Sequence, residues 1–286
     1  IGKNGMHLTS AVMDTIIKYP CDSLTMMKEK QKPKHERNLL KKKIGYFQSE
    51  QEQFAMIKNN TGTRNTRNPL CFLLEAADDL AYTFADLEDG YNKGLYTYQD
   101  LLDVVIKAGD EKGKALLEKE LENGIQEQIG SKTSVDPYKY AVFSWLTKKQ
   151  LYSVSRVSDA FILHYDEIMN GEFFDELITE SSEGKLINAL KEFAYRRIYC
   201  HSSILKLELM GNEILSFLLD RFVDALLPYD TDIEITEIQK KYIDLLSQNY
   251  LEQYHETAKT VKSEEDKVYA RLLLATDFIA GMTDSY

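Results

Sequence analysis

Apolar residues recur at three- and four-residue spacing along almost the whole chain, and no convincing run alternates apolar with polar positions as a strand does. The pattern predicts helices near 8–18, 49–58, 69–89, 97–108, 111–123 and 138–168. It continues with a short piece at "EFFDELI", then helices near 183–199, 202–226, 234–258 and 263–281. The five prolines, Pro20, Pro33, Pro69, Pro137 and Pro228, lie at the boundaries of these runs, where proline stops a helix or is tolerated. In 202–226, apolar residues at 204, 207, 215, 218, 219 and 222 predict a buried helix. Residues 28–43, "KEKQKPKHERNLLKKK", are basic, proline-broken and poor in apolar residues, and read as a mobile loop. The fold class is therefore all-α, a multi-helix bundle with residues 1–286 as one helical unit.

The stretch "NPLCFLLEAADDLAYTFADLEDG" carries the chemistry. Asn68 suits an N-cap and Pro69 the first helical position. Leu70, Leu73, Leu74, Ala77, Leu80, Ala81, Phe84 and Leu87 predict a broad buried stripe. Gly90 reads as the end of the helix. The other side is crowded with acids: Glu75, Asp78, Asp79, Asp86, Glu88 and Asp89. Such carboxylates face water, or they face something positive or polar that compensates them.

Asp78, Tyr82 and Asp86 stand at i, i+4 and i+8. Each step drifts only about 40° around a helix, so the three form a ladder spanning about 12 Å. That reach matches several parts of a nucleotide. An acid at one end is suited to a hard cation. The acid at the other end is suited to a sugar hydroxyl, and the tyrosine between them to the sugar itself. A solvated acidic face is the competing reading of the same pattern. Small residues at Ala76, Ala77, Ala81 and Ala85 permit close approach of neighbours.

Bulk composition narrows the choice. A formal net charge of -11 argues against non-specific nucleic-acid binding. It does not exclude an anionic small substrate, because a few local cations can dominate a closed site. No run approaches the roughly 18 apolar residues of a membrane span. Cys21, Cys71 and Cys200 form neither a disulfide framework nor a zinc pattern, which fits a reducing cytoplasm. The start, "IGKNGMHLTS", lacks both an initiator Met and a signal peptide and reads as the opening of a fragment.

The segment "EAADDLAYTFADLEDG" closely resembles the signature helix of the deoxyguanosinetriphosphate triphosphohydrolases (dGTPases), metal-dependent phosphohydrolases of the HD-domain superfamily. "GMHLTSAVMDTIIKYP", "KKKIGYFQSEQEQF", "RRIYCHSSILKLELMGNEILSFLLDRF" and "TDFIAGMTDSY" resemble further parts of that family. The resemblance spans nearly the whole chain. It implies part of an HD-domain-like bundle and hydrolysis of a dNTP, dGTP first among them, to deoxynucleoside and triphosphate. It implies a divalent metal such as Mg or Mn, and a homo-oligomer whose interfaces can bind nucleotide effectors. By resemblance, Asp78 is a metal ligand, Tyr82 lies against the deoxyribose and Asp86 binds the 3′-hydroxyl. Lys18 contacts the triphosphate, with Tyr19 beside it. Glu75 and Asp79 are supporting candidates, Arg64, Arg67 and the lysines at 41–43 are candidate phosphate contacts, and Glu208 and Arg271 are candidate readers of the base.

One departure is important. The chain contains no His-Asp dipeptide, and His7, His35, His164, His201 and His255 all stand in unsuitable contexts. In the family the missing metal ligands and the catalytic His lie upstream of the first residue here. No catalytic residue is therefore expected within the chain, and alone it is expected to bind metal weakly and turn over negligibly. The alternative is a non-catalytic nucleotide-binding module for regulation or assembly, with the charged helices at 97–123 contributing contacts. A phosphohydrolase acting on monophosphates or cyclic nucleotides is a third reading, disfavoured by the Tyr82/Asp86 pair.

Overall fold

Capping residues set where the helices begin. Asn68 accepts a hydrogen bond from the Leu70 amide at 3.0 Å, and Pro69 opens the helix behind it. Thr97 and Asp100 form a reciprocal capping box, and Thr236 with Gln239 forms another. The computed structural model describes residues 6–131, 136–261 and 263–283. The last three residues of the "AGMTDSY" motif lie outside them. Among the described residues all regular structure is helical, in two compact units, residues 5–201 and 202–286.

The first unit holds α1 (Ser10–Ile16), α2 (Ser23–Lys30), α3 (Gln51–Thr61), α4 (Pro69–Asn92), α5 (Tyr98–Ala108), α6 (Glu111–Ser131), α7 (Pro137–Leu163), α8 (Tyr165–Asn170), α9 (Leu177–Glu180) and α10 (Gly184–Ala194). The basic stretch after residue 28 completes α2 and adds 3-10 turns at Lys34–Glu36 and Leu39–Lys41. Glu29 is buried there and accepts from the Asn38 amide at 2.7 Å. The helix expected over 138–168 breaks at His164 into α7 and α8. The α10 run ends in a π-helical turn, Tyr195–Tyr199.

The core of this unit gathers Leu80, Leu87, Leu101, Leu117, Trp145, Ile187 and Leu190, all fully buried. α4 lies against α7 and α10, and α6 lies along α7. The Trp145 indole N–H donates to the Gly113 carbonyl at 2.7 Å, fixing α7 to α6. Three charged clusters tie these helices together, two of them buried and the third with its lysine half exposed. Asp14 is fully buried and accepts from Lys58 at 2.5 Å, Thr63 at 2.8 Å and Asn68 at 3.1 Å. Burial works against its charge, but these donors prevail and hold its pKa below the ordinary carboxylate value. Lys149 lies between Asp110 at 2.7 Å and Glu183 at 2.6 Å. Glu120 takes Ser144 and Lys148, each at 2.7 Å.

The second unit holds α11 (Ser202–Leu226), α12 (Glu237–Asp244), α13 (Gln248–Thr260) and α14 (Glu264–Ala280). The single helix expected over 234–258 is two, separated by extended backbone at Ser247. Its core is Phe222, Ala225, Leu226, Tyr254, Leu274, Ala275 and Phe278. The sequence pattern predicted a buried helix over 202–226, and the structure corrects this. Only Phe222, Ala225 and Leu226 of α11 are buried, whereas Leu207, Leu215 and Leu219 are exposed. The physical reason is that α12 and α14 form their core around the C-terminal end of α11. No described residue from 202 to 221 is buried.

Candidate functional site

α4 carries the ladder of Asp78, Tyr82 and Asp86. The helix is continuous from Pro69 to Asn92, so the three residues share one side, and that side is the outward one. Asp78 is exposed, Tyr82 is 64% exposed and Asp86 is half-buried. The buried side is Cys71, Phe72, Ala76, Leu80, Thr83, Phe84, Leu87 and Gly90. The expected stripe was rotated relative to this face. Leu70 and Leu74 are exposed at 56% and 45%, and Ala77 and Ala81 are exposed as well. The contacts with α7 and α10 decide the buried face, which the periodicity of α4 alone does not. Gly90 is not the end of the helix. It lies inside it, and a Cβ there would stand 2.5 Å from the Ile198 side chain. The glycine lets the Ile198 turn approach α4 closely.

The acids of α4 meet different fates. Glu75 is shared between the Lys18 ammonium at 2.5 Å and Arg67 at 2.8 Å. Arg67 is buried, also donates to the Lys18 carbonyl at 2.7 Å, and lies 5.6 Å from the centre of the Tyr19 ring. The Lys18 ammonium lies over the same ring at 5.6 Å. Two cations thus share one carboxylate, leaving a positive surplus beside Tyr19. Partial burial pulls the Lys18 pKa down, but the bond to Glu75 and its charge more than offset this, so the pKa is raised. Asp79 pairs with Lys191 of α10 at 2.6 Å. Glu75 and Asp79 are therefore both held in ion pairs.

Asp86 accepts a short hydrogen bond from the Tyr199 hydroxyl. Burial, the bond itself and the carboxylate charge push the Tyr199 pKa up to about 12, so the phenol remains a donor at neutral pH. Sequence reasoning missed Tyr199. It projects from the π-helical turn, a feature that often marks functional positions and that no spacing rule in the chain reveals. Asp78 makes no described hydrogen bond or ion pair. Among the described residues, no three His, Cys, Asp or Glu side chains gather into a metal site. The donor set thus fits one position of a hard-cation site, an open carboxylate, and not a complete one.

Two cavities open elsewhere in this unit, and neither is lined by Lys18, Asp78, Tyr82 or Asp86. One of about 460 Å³ lies between α5 and α10 and is lined by Asp100, Asp103, Lys107, Lys185, Arg196 and Arg197, among others. One of about 770 Å³ is lined by Glu88, Asp136, Lys139, Tyr140 and Lys148, among others. Tyr19, Arg67 and Glu75 come together with Lys18 at the α1 end, while Tyr199 joins Asp86 further along α4. Arg64 is exposed. In the second unit Arg271 is buried in the core, and Glu208 is exposed.

An all-helical scaffold carries an acid–tyrosine–acid ladder and a nearby cation cluster, and the comparisons give its relatives. Residues 177–286 match the phosphohydrolase-associated domain. A deoxyguanosinetriphosphate triphosphohydrolase-like protein of Listeria monocytogenes is 38% identical over 99% of this chain and 58% of its own length. One from Synechocystis is 26% identical over 98% of this chain and 58% of its own length. A deoxyguanosinetriphosphate triphosphohydrolase of an Enterobacter strain is 28% identical over the same shares. The chain is similar to these relatives along nearly its whole length and spans 58% of theirs.

Proposed function

We propose that the chain forms the sugar- and phosphate-facing wall of a dNTP triphosphohydrolase, with dGTP the first candidate substrate. The observation that carries this reading is the Asp78–Tyr82–Asp86 face of α4, open at Asp78 and joined by Tyr199 at Asp86. Homology to proteins named for dGTP hydrolysis gives the substrate class.

Each residue then has a task. Asp86 accepts a hydrogen bond from the 3′-hydroxyl, and Tyr199 preorganises its carboxylate. Tyr82 packs against the deoxyribose and crowds the 2′ position. The Lys18–Arg67 pair, with charge left over from Glu75, attracts the triphosphate. Asp78 supplies one carboxylate to a divalent cation, whose charge offsets that of the α-phosphate when bound. The remaining ligands come from outside this chain. Water oxygen bonds to the α-phosphorus, the bond from phosphorus to the 5′-oxygen breaks, and that oxygen leaves with a proton as the deoxynucleoside.

The full reading frame, assayed with Mn²⁺ or Mg²⁺ and each dNTP, tests this. Release of inorganic triphosphate supports the reading, and release of monophosphate or pyrophosphate overturns it. Asp86→Ala is expected to raise KM more than it lowers kcat. A change of Tyr82 to Ala that brings no gain in ribonucleotide turnover removes the steric role given to Tyr82.

A second reading is a non-catalytic nucleotide-binding module. The cavity between α5 and α10, with Lys107, Lys185, Arg196 and Arg197 in its lining, favours it. Binding of dGTP that survives Asp78→Asn and Asp86→Ala but is lost in Lys107→Glu with Lys185→Glu would select it.

A further inference from the structure

We propose that Arg67 is a positioning residue for Lys18, gripping it at both ends, and that it meets no phosphate itself. The inference rests on the dNTP reading above and adds one residue to it.

The Arg67 guanidinium donates through Nε to the Lys18 carbonyl at 2.7 Å and through Nη1 to Glu75 at 2.8 Å. The other Glu75 oxygen holds the Lys18 ammonium at 2.5 Å. Guanidinium, carboxylate and ammonium therefore close a ring that begins and ends on Lys18. Two aromatic rings flank the guanidinium, with centres 5.6 Å away at Tyr19 and 5.4 Å away at Phe72. The start of α4 is pinned as well, because Asn68 donates to the buried Asp14 of α1 at 3.1 Å. Lys18 is thus referenced to the same helix that carries Asp78, Tyr82 and Asp86.

Exposure divides the labour. The Arg67 side chain is 6% exposed and that of Glu75 9%, against 37% for Lys18. Of the three, only Lys18 offers an anion a free approach. The charge of Arg67 still adds to the attraction, but the contact falls to Lys18. An ammonium has three donors, so one bond to Glu75 leaves two for a ligand. A loose lysine loses many rotamers when it binds, and one already held loses fewer. A planar guanidinium suits the holding task, because it sends two donors out at a fixed angle, which an ammonium on a flexible stem does not.

Steady-state kinetics with dGTP, on protein from the full reading frame, test this as a double-mutant cycle. Lys18→Met is expected to raise KM about tenfold with kcat within about twofold. Arg67→Lys keeps the charge but loses the fork, and is expected to raise KM about fivefold with kcat likewise held. In the double variant Arg67→Lys is expected to add less than about twofold, since the residue it acts on is gone. Damage to the fold would instead lower kcat with the amount of active protein and leave KM alone. Should Arg67→Lys yield no folded protein, Glu75→Gln takes its place in the cycle with the same expectation. Effects that multiply in full in the double variant overturn the proposal, and so does an Arg67→Lys protein with unchanged KM. In both cases a wild type that releases triphosphate leaves the dNTP reading standing. A wild type that releases none from any dNTP overturns that reading and the proposal with it.

Discussion

α4 and α11 are nearly equal in length, both are rich in leucine, and both read from the sequence as well-packed helices. Their surroundings differ. α4 has one full side sealed by α7 and α10, with Leu80 and Leu87 essentially inaccessible. Among the described residues of its unit, α11 buries Phe222, Ala225 and Leu226 at its C-terminal end, with Leu218 and Val223 packed beside them. An apolar period states that a helix can bury a face, but the partner is supplied by other elements. Where the chain supplies one, the residues opposite are free to carry chemistry, as along the ladder of α4.

Truncation inside and outside the packing separates the two helices most sharply. Lys58→Met would leave Asp14 charged and buried without its cation, with the hydrogen bonds from Thr63 and Asn68 remaining, and is expected to cost about 3 kcal/mol in chemical denaturation. Leu80→Ala is expected to cost about 2–5 kcal/mol, against no more than about 0.5 kcal/mol for Leu209→Ala on α11. A large loss at Leu209 would mean that the far side of α11 is covered after all. Gly90→Ala forces a methyl toward Ile198 and is expected to cost about 1–3 kcal/mol, recovered in part by Ile198→Val. Asp78→Asn is expected to change stability by less than about 0.5 kcal/mol, because the side chain is exposed and unpaired. Loss of activity with unchanged stability at Asp78 would mark a functional acid and not a structural one.

Acid provides a further handle on the α4 side. The folded-state pKa of Asp14 lies below its unfolded value near 3.8. Its contribution is therefore complete above that value and disappears as pH falls through the folded pKa. Asp14→Asn is expected to flatten the acid limb of the stability profile below pH 4. An unchanged limb would place the acid sensitivity elsewhere.

Much of this was legible in the residues. Asn68 and Pro69 fixed the start of α4, because capping is a local matter. The four-residue spacing of Asp78, Tyr82 and Asp86 placed them on one side of α4 before any packing was known. What the sequence left hidden depended on partners far along the chain. The rotation of the α4 face, the role of Gly90 and the exposure of α11 are set by helices more than a hundred residues away in some cases. Tyr199 was hidden for a different reason. Its position follows from a local departure from the regular hydrogen-bond ladder, and periodicity assumes that ladder.

That wide turn at Tyr195–Tyr199 has a consequence of its own. It holds one residue more than a regular turn would use. Removing a single residue there would let the turn close to the regular ladder, so the change is absorbed locally and the helix before it keeps its place. The seat of Tyr199 beside Asp86 belongs to that turn. A one-residue deletion at this point is thus expected to loosen the Tyr199–Asp86 bond in a protein that still folds, and a fall in the phenol titration point from about 12 would report it.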